Sequence, residues 1–425
     1  MDLSEIYETV LDGRTKGLPG TAAPFALKHI AAQGWNVLRE DMPLPLMVLK
    51  RAALDHNARV FGDYLSAHGL SLAPHGKTTM APQLFAEQLR YSWAITAANV
   101  AQVQVMHRYG VDRVVLGNQL LGRAALASVA QMMAEREAFE FYVFVDSPAQ
   151  LDNMARHLSG LGLPRPLHLL LEVGVAGGRT GLRTEEEAAD LAEAMLAADP
   201  ALFRFAGVAS FEGVVPGLAE GPEPVRGYAR QVVEIARALP PALYEGAEEF
   251  ILTGGGSGHF DLMAEAFGEL ELPVPVRILL RSGCYVTTDN GGYKAMQEAG
   301  RADPHRSWKS ELHPALEAWA YVQSMPEPGL AFLTMGKRDV PYDAGLPVPL
   351  KLYRPGKGFL PVGEAEVTAV NDQHAYVRLG NGAEWQVGDM VASGISHPCT
   401  AFDKWRFLPV VSDSYDVVDG VMTFF

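Results

Sequence analysis

Residues 70–77, LSLAPHGK, begin a pattern that continues to about residue 285 and decides the fold. Seven more short apolar or β-branched runs follow: WAITAA (93–98), RVVLGN (113–118), EFYVFVDS (140–147), PLHLLLEVG (166–174), RFAGVASFEG (204–213), EFILTGGGS (249–257) and VRILLRSG (276–283). Most are separated by stretches with apolar residues three and four apart, which predict amphipathic helices. Alternating strands and helices pair in parallel, and eight such units predict an α/β fold, the (β/α)8 TIM barrel. A doubly wound open sheet is the alternative.

The chain changes character after about residue 300. Its later runs are short, β-rich and separated by Pro, Gly and Asn-Gly turns, which is typical of antiparallel sheet. They are LEAWAYVQSM, GLAFLTMG, EAEVTAV, HAYVRLG, DMVASGI and DVVDGVMTFF. We assign the early run PLMVLK (45–50) to this second, mainly antiparallel β domain. The predicted division is residues 1–51 as an N-terminal arm and strand joining the β domain, 52–295 as the barrel, and 296–425 as the C-terminal β domain.

Composition and charge exclude several classes of protein. The 425 residues carry a formal net charge of −15, which argues against a nucleic-acid partner because such a partner requires a basic surface. No run of about 18 apolar residues occurs, so no membrane span is expected. The acidic N-terminus lacks the pattern of a secretory signal. Two cysteines, Cys284 and Cys399, are too few for a disulfide framework, and a cytoplasmic location is expected.

Lys77 follows the first barrel strand, at the end of the barrel that carries the chemistry in this fold. The segment HGKTT imitates a phosphate-binding P-loop. However, Ser71 stands where that motif requires Gly and Pro74 lies within the loop, so a nucleoside triphosphate site is excluded. Two roles stay open for Lys77: a Schiff base with a carbonyl cofactor, or a surface lysine whose charge reaches solvent just beyond the strand.

A glycine-rich loop, TGGGSGHF (253–260), follows the seventh strand. The backbone N–H groups of such a loop, placed before a helix, bind a phosphate dianion. The candidate residues are Gly254, Gly255, Gly256, Ser257 and Gly258. His259 stands where the dinucleotide fingerprint has its last Gly, which excludes that motif. The eighth strand ends in RSGCYVTTD (281–289), and barrels often bind phosphate between these two loops. One phosphate and one aldehyde-reactive lysine together predict pyridoxal 5′-phosphate (PLP).

Two residues near other strand ends have open roles. His75 either orients the cofactor or substrate or is structural. Arg179, in LEVGVAGGRTGLR (171–183), either hydrogen bonds to the ring oxygen of the cofactor or pairs with Glu172 or a neighbouring carboxylate.

A His-x-Cys pair lies near the C-terminus, in SHPCTAFDKWR (396–406). His397 and Cys399 are two residues apart, so in an extended segment both side chains point to one face. Imidazole and thiolate donors suit zinc better than magnesium or calcium, and two protein ligands leave positions open for water or a substrate oxygen. The alternative is a buried cysteine beside a hydrogen-bonded histidine.

These motifs occur in a recognisable order: Pro-His-x-Lys-Thr (74–78), the GGGSG loop, SGCYV (282–286) and a late His-x-Cys. In this order the chain resembles the D-serine dehydratase and D-threonine aldolase family of fold-type III PLP enzymes, which share the alanine racemase barrel. It is similar in particular to the bacterial D-serine deaminase-like group. The resemblance spans roughly residues 40–425, and APHGKTTMAPQLF and SHPCTAFDKW are its specific parts.

The resemblance implies a role for every candidate residue except His75, and it implies a homodimeric assembly. The implied roles are covalent binding of PLP by Lys77, phosphate binding by the 254–258 loop with Tyr285, contact with the cofactor by Arg179, and binding of a divalent metal, with zinc expected, by His397 and Cys399. Many relatives have Arg and His where this chain has Ala73 and Thr79, which leaves the details of the substrate pocket open.

The implied activity is that of a PLP- and metal-dependent D-serine dehydratase, a lyase that converts D-serine or a related D-3-hydroxy amino acid to a 2-oxo acid and ammonia. Aldolase members tend to carry His-x-Asp, so Cys399 favours dehydration. The alternatives are a D-threonine aldolase, an amino acid racemase and a non-catalytic PLP-binding protein. Cys284 is expected to pack beside the phosphate, on the opposite side of the active site from Cys399.

Overall fold

The computed structural model describes residues 1–217 and 221–425. The chain opens with helix α1 (Ser4–Tyr7), the antiparallel strands β1 (Val10–Leu11) and β2 (Phe25–Ala26), strand β3 (Leu46–Lys50) and helix α2 (Arg51–Ala67). The barrel strands begin directly after α2.

Eight parallel strands form one sheet. They are β4 (Ser71–Leu72), β5 (Ile95–Ala97), β6 (Arg113–Gln119), β7 (Glu140–Val145), β8 (Leu167–Val173), β9 (Phe203–Ser210), β10 (Phe250–Gly254) and β11 (Val276–Leu280). β11 pairs with β4, and an isolated parallel bridge between His75 and Thr96 links the segment after β4 to β5. The predicted (β/α)8 barrel is therefore confirmed, and the open sheet is excluded.

Helices follow the barrel strands and cover them. They are α3 (Pro82–Gln88), α4 (Val100–Arg108), α5 (Arg123–Glu135), α6 (Pro148–Leu158), α7 (Glu185–Ala197), α8 (Glu223–Ala238), α9 (Phe260–Phe267) and α10 (Gly292–Ala302). Local sequence sets several of their starts: Asn99, Ser147 and Thr184 each accept a backbone N–H of the first turn, and Thr184 forms a capping box with Glu187.

The barrel interior contains an apolar layer to which every strand or its flank contributes. Its buried side chains are Ala73, Ala94, Val115, Tyr142, Phe144, Leu170, Ala209, Ile251 and Leu279. Because side chains along a strand alternate between faces, the residue two positions further on points into the same interior, nearer the carboxyl end. At four of these positions the residue is polar and buried: Thr96, Glu172, Thr253 and Arg281. This polar layer is the floor of the site described below.

The second sheet is mainly antiparallel, as predicted. Its strands are β12 (Leu316–Glu327), β13 (Leu330–Leu333), β14 (Val348–Arg354), β15 (Gly358–Leu360), β16 (Ala365–Val370), β17 (Ala375–Leu379), β18 (Met390–Gly394), β19 (Phe407–Val411) and β20 (Val417–Met422). A short helix, α11 (Pro398–Phe402), connects β18 to β19. The early strand β3 pairs antiparallel with β12 and parallel with β19.

The predicted domain boundaries stay predictions. Helix α2 begins at the first of them, at residue 51, whereas the second, after residue 295, falls inside α10. Among the residues that the structure describes, no helix combines the length and the apolar character that crossing a membrane requires.

Candidate active site

Lys77 lies just beyond the first barrel strand. The strand β4 is only two residues long, and the 3-10 turn Gly76–Thr78 follows it after Pro74 and His75. A Cβ on Gly76 would lie 2.5 Å from Met106 Cε, so close packing holds the turn in place. Lys77 is half-buried and is not among the lysines that form salt bridges with described carboxylates. Its amine is thus available for chemistry at the carboxyl end of the barrel.

His75 is a neutral imidazole in this site. Burial lowers its pKa well below the usual value, and the positive charges of Lys77, Arg281 and Arg179 lower it further. Its Nδ1 atom is buried without a hydrogen-bond partner among the described residues. A buried imidazole nitrogen that lacks a partner is a place where a polar group of a ligand fits.

Arg281 extends from the end of the eighth strand into the barrel. Its guanidinium donates to Thr253 Oγ1 at 2.7 Å and to the carbonyl oxygen of Ser210. It also lies over the ring of Phe144, 5.1 Å from the centroid. Burial lowers its pKa, although Glu212 and Glu172 oppose that change. Arg281 was not singled out in the sequence, although a charged residue two positions after the apolar Leu279 is itself a signal.

The glycine loop binds an anionic group of the chain itself. The N–H of Gly255 donates to Glu212 Oε2 at 3.2 Å, and the N–H of Gly256 donates to Glu212 Oε1 at 2.5 Å. Glu212 is 1% exposed, and burial raises its pKa. The backbone of this loop therefore presents donors to carboxylate oxygens, which is the property that phosphate binding requires. Gly254 and Gly258 lie on either side, where the loop runs from β10 toward α9.

Ser257 connects this loop to the loop after the eighth strand. Its Oγ accepts the backbone N–H of Cys284 at 3.0 Å, so the two predicted phosphate-binding segments do meet. Tyr285 is 1% exposed, and its hydroxyl hydrogen bonds to Gln88 at 3.1 Å and to Tyr91 at 2.6 Å. The phenol is thus bound to neighbours of its own, and its contact with a phosphate stays a prediction.

A cavity of about 650 Å³ opens beside the glycine loop. Its lining includes Glu212, Gly256, Ser257 and Tyr293. This volume is within the range of small-molecule sites.

Arg179 is exposed at the mouth of the barrel, and its guanidinium lies 4.8 Å from the ring centroid of Phe211. It does not pair with Glu172, whose carboxylate accepts from Gln119 and from Thr180 Oγ1 at 2.5 and 3.1 Å. The structure therefore does not show the predicted pairing of Arg179 with Glu172. Contact with the cofactor stays a prediction for this residue.

The His-x-Cys pair lies at the start of α11. His397 is the residue before the helix, and its Nδ1 is 2.5 Å from Asp343 Oδ2. The side chains of Cys399 and Asp343 raise the pKa of His397 to about 9. Contact with Cys284 lowers the pKa of the Cys399 thiol, and His397 and Thr78 lower it further. A stabilised thiolate beside an imidazole suits a soft divalent cation. Among the described residues, no group of three or more His, Cys, Asp or Glu side chains is placed to hold a metal ion, and binding of a metal by His397 and Cys399 stays a prediction.

The two cysteines lie together, not on opposite sides of the site. The Sγ atoms of Cys284 and Cys399 are 3.6 Å apart, although the residues are 115 positions apart in the chain. The expectation of opposite sides is wrong because the loop after β11 folds under α11. Thr78 Oγ1 lies 3.7 Å from each sulfur.

The contact between Thr78 and Cys399 connects the two parts of the candidate site. Thr78 is the neighbour of Lys77 in the 3-10 turn, whereas Cys399 belongs to the β domain. The 3.7 Å contact between Cys399 Sγ and Thr78 Oγ1 therefore places the metal candidate beside the cofactor candidate. The sequence did not point to Asp343, which lies in no motif, and it gave no role to Thr78 beyond its place in the Pro-His-x-Lys-Thr motif.

Comparisons with known proteins support the same family. Residues 315–411 match the model described as "Putative serine dehydratase domain". The D-threonine aldolase of Arthrobacter sp is 27% identical over 396 residues, which are 92% of this chain and 94% of that protein. The structure of D-threonine aldolase from Filomicrobium marinum matches with a TM-score of 0.74 at 23% identity, over 92% and 96% of the two chains. D-threo-3-hydroxyaspartate dehydratase from Delftia sp. HT23 matches with a TM-score of 0.69 at 17% identity, over 92% and 99%.

The fold is an alanine racemase-type barrel with a second β domain, and the aldolases and dehydratases that the comparisons find support a PLP-dependent lyase. The resemblance to the D-serine dehydratase and D-threonine aldolase family is confirmed, and the chain is a relative of these enzymes.

Proposed function

We propose that the protein is a PLP- and metal-dependent dehydratase that converts D-serine, or a related D-3-hydroxy amino acid, to a 2-oxo acid and ammonia. The observation that carries the proposal is the 3.7 Å contact between Cys399 Sγ and Thr78 Oγ1. It brings a thiolate donor for a metal next to Lys77, the amine that would hold the cofactor. One substrate bound there would meet both groups.

The residues present fit PLP. Lys77 offers an amine, His75 offers a buried ring nitrogen without a partner among the described residues, and the 254–258 loop offers backbone donors that already bind a carboxylate. We propose that Lys77 binds the aldehyde, that Gly254, Gly255, Gly256, Ser257 and Gly258 with Tyr285 hold the phosphate, and that Arg179 faces the cofactor. Bound PLP supplies an electron sink for the bond that breaks at the α-carbon.

The residues also fit a divalent metal. His397 and Cys399 supply a nitrogen and a sulfur ligand, and Asp343 would orient the imidazole from behind through Nδ1. This donor set favours zinc. One matching solved structure is described as a cysteine-to-alanine mutant of D-threo-3-hydroxyaspartate dehydratase in the metal-free form, and this description supports metal dependence. The metal supplies a Lewis acid for the β-hydroxyl, a poor leaving group.

The residues of the chain then divide the proton transfers. Lys77 would hold the PLP aldehyde, and its amine would accept the α-proton of the substrate at Nζ. His75 lies beside Lys77. Its imidazole is neutral at ordinary pH because burial lowers its pKa. Thr78 follows Lys77 in the chain, and its hydroxyl lies 3.7 Å from Cys399 Sγ, so it would help to orient a substrate that contacts both groups.

Retro-aldol cleavage is the second candidate because the Arthrobacter and Filomicrobium relatives are described as D-threonine aldolases. The thiolate ligand favours dehydration, since Cys399 replaces the aspartate that aldolases tend to carry. We further propose a homodimer, a cytoplasmic location and domain boundaries after residues 51 and 295.

The deciding experiment incubates the PLP- and zinc-loaded protein with D-threonine. We expect 2-oxobutyrate and ammonia, detected with lactate dehydrogenase and glutamate dehydrogenase. Glycine and acetaldehyde would contradict dehydration and support the aldolase, and L-allo-threonine, the product of inversion at the α-carbon alone, would support a racemase. Pyruvate formed from D-serine would show that the protein also acts on this smaller substrate. Lys77→Ala is the inactive control in each arm.

A further inference from the structure

We propose that Cys284 and Cys399 form a reversible oxidation site, in which a peroxide converts their two thiols to a disulfide that joins the barrel to the β domain. The chain has no other cysteines. In the structure both are free thiols, with Cys284 buried and Cys399 half-buried.

The geometry supports a bond between these two sulfurs. Their separation of 3.6 Å is van der Waals contact, and a disulfide needs about 2.05 Å, so the sulfurs must approach by about 1.5 Å. Both residues are in short elements that can shift by this amount: Cys284 begins a 3-10 turn of three residues, and Cys399 lies in the five-residue helix α11. Each element is joined to loops on both sides.

The unequal exposure of the two cysteines determines which sulfur reacts first with peroxide. Cys284 is only 5% exposed, whereas Cys399 is in the intermediate range and adjoins His397, whose side chain is 28% exposed. A small peroxide therefore reaches Cys399 first. Thr78 Oγ1 lies 3.7 Å from each sulfur, so both cysteine side chains point toward the same hydroxyl. Cys284 is then already in contact with the oxidised sulfur and serves as the resolving thiol.

The chemistry balances with hydrogen peroxide as the oxidant. The Cys399 sulfur attacks one peroxide oxygen: an S–O bond forms, the O–O bond breaks, and hydroxide leaves and takes the thiol proton as water. Cys399 is then a sulfenic acid. The Cys284 sulfur attacks Cys399 Sγ: the S–S bond forms, the S–O bond breaks, and the hydroxide leaves with the Cys284 proton as a second water. Two thiols are oxidised to one disulfide while one peroxide is reduced to two waters. An external dithiol reverses the change.

The disulfide has a consequence that rests on the proposed function. Cys399 is the proposed thiolate ligand of the metal, and a sulfur in a disulfide has no thiolate to offer. Oxidation would thus release the metal, and bound metal would protect the thiols. Crosslinking and metal binding are measured separately, so one can fail without the other.

The test treats metal-free protein with hydrogen peroxide and then counts free thiols after denaturation. We expect the count to fall from two to zero, with a peptide pair linked through Cys284 and Cys399 in the mass spectrum and full recovery with dithiothreitol. In Cys284→Ser the reaction should stop at the sulfenic acid of Cys399, which dimedone traps. In Cys399→Ser the buried Cys284 should stay reduced at the same peroxide dose.

Three results would overturn the oxidation site. They are two unchanged thiols, disulfides formed only between separate molecules, and dimedone adducts on wild-type Cys399 with no crosslink. A crosslink that leaves metal affinity unchanged would uphold the oxidation site and contradict Cys399 as the metal ligand. Circular dichroism of the two serine variants checks that each is folded.

Discussion

Three ionisable side chains lie buried at the carboxyl end of the barrel strands, and each forms hydrogen bonds with neutral groups: Arg281, Glu212 and Glu172. Glu212 binds loop N–H groups, Glu172 binds Gln119 and a threonine hydroxyl, and Arg281 binds Thr253. Burial raises the pKa of both carboxyls and lowers that of the guanidinium. Charges buried in this way are costly for stability and are typical of functional sites.

A histidine at the opposite end of the barrel makes stability depend on pH. Burial, with Arg204 nearby, lowers the pKa of His168 to about 4, and its ring stacks on Tyr142 at 4.5 Å. Since an unfolded histidine has a pKa of about 6.5, the unfolded chain binds more protons between about pH 4 and 6.5. The contribution of His168 is therefore present above about pH 6.5 and is lost as the pH falls toward 4.

We expect His168→Phe, which keeps a ring on Tyr142 but cannot titrate, to reduce the acid sensitivity. The free energy of unfolding should fall by about 2 kcal/mol less in the variant than in the wild type between about pH 7 and pH 5. Urea denaturation at the two pH values measures this difference. Equal losses in both proteins would show that His168 keeps its ordinary pKa when folded.

Single residues were predictable where a motif combined spacing with chemistry. Lys77 and the His397–Cys399 pair are such cases, and the structure brings Cys399 into contact with Thr78, the residue after Lys77. Arg281 was within reach of the same reasoning because it follows the apolar strand residues at period two. The contact between Cys284 and Cys399 could not be predicted, because it depends on how segments 115 residues apart pack together.

Among the elements, the central barrel strands depend on one glycine. Gly207 in β9 has a φ of +148°, and a Cβ there would lie 1.9 Å from the carbonyl oxygen of Ile251, its partner in β10. Any side chain at this position would separate the two strands. The exposed Gly227 in α8 is the contrasting case, because a Cβ there would meet no described atom within 4 Å beyond its own helix and chain neighbours.

These two glycines form a matched pair of substitutions. Gly207→Ala should destabilise the protein by about 3 kcal/mol or more, because backbone strain and overpacking act together. Gly227→Ala should stabilise it by about 0.5–1 kcal/mol, because alanine loses less entropy in a helix. Urea or thermal denaturation measures both changes. A Gly207→Ala variant as stable as the wild type would contradict the close β9–β10 contact.

Proline explains why the sequence did not predict the strands β14 and β19. β14 and β19 contain Pro349 and Pro409, which lower the strand signal because proline has no N–H to donate. β14 tolerates its proline with an irregular register between Pro349 and Lys351. Pro74 likewise restricts β4 to Ser71–Leu72, shorter than the run LSLAPHGK indicated. The eight barrel strands were otherwise predictable because buried parallel strands have continuous apolar runs.

For the whole molecule, the candidate site exists only where the barrel and the β domain meet. Lys77 and Thr78 come from the barrel, and His397 and Cys399 come from α11 of the β domain. The sequence predicted both folds and both sets of residues. It could not predict that α11 packs on the 3-10 turn after β4, because neither element has a pattern that specifies its partner.

Removing the metal should show that metal binding and PLP binding are independent of each other. Dialysis against EDTA is expected to abolish D-serine turnover while PLP stays bound, because the metal ligands are separate from Lys77 and the glycine loop. Added zinc should restore the activity. Turnover that survives when elemental analysis finds no metal would contradict a metal-assisted elimination. Cys399→Ala is the matched control, and its residual turnover should not respond to EDTA or zinc.

The most direct test of the central claim is the absorption spectrum of the purified protein after incubation with PLP. A covalent link between PLP and Lys77 predicts a yellow protein with a near-visible band that survives gel filtration. Lys77→Ala should lose the band, although its folding is unchanged by circular dichroism. A colourless wild-type protein, or a band of equal intensity in Lys77→Ala, would contradict the account.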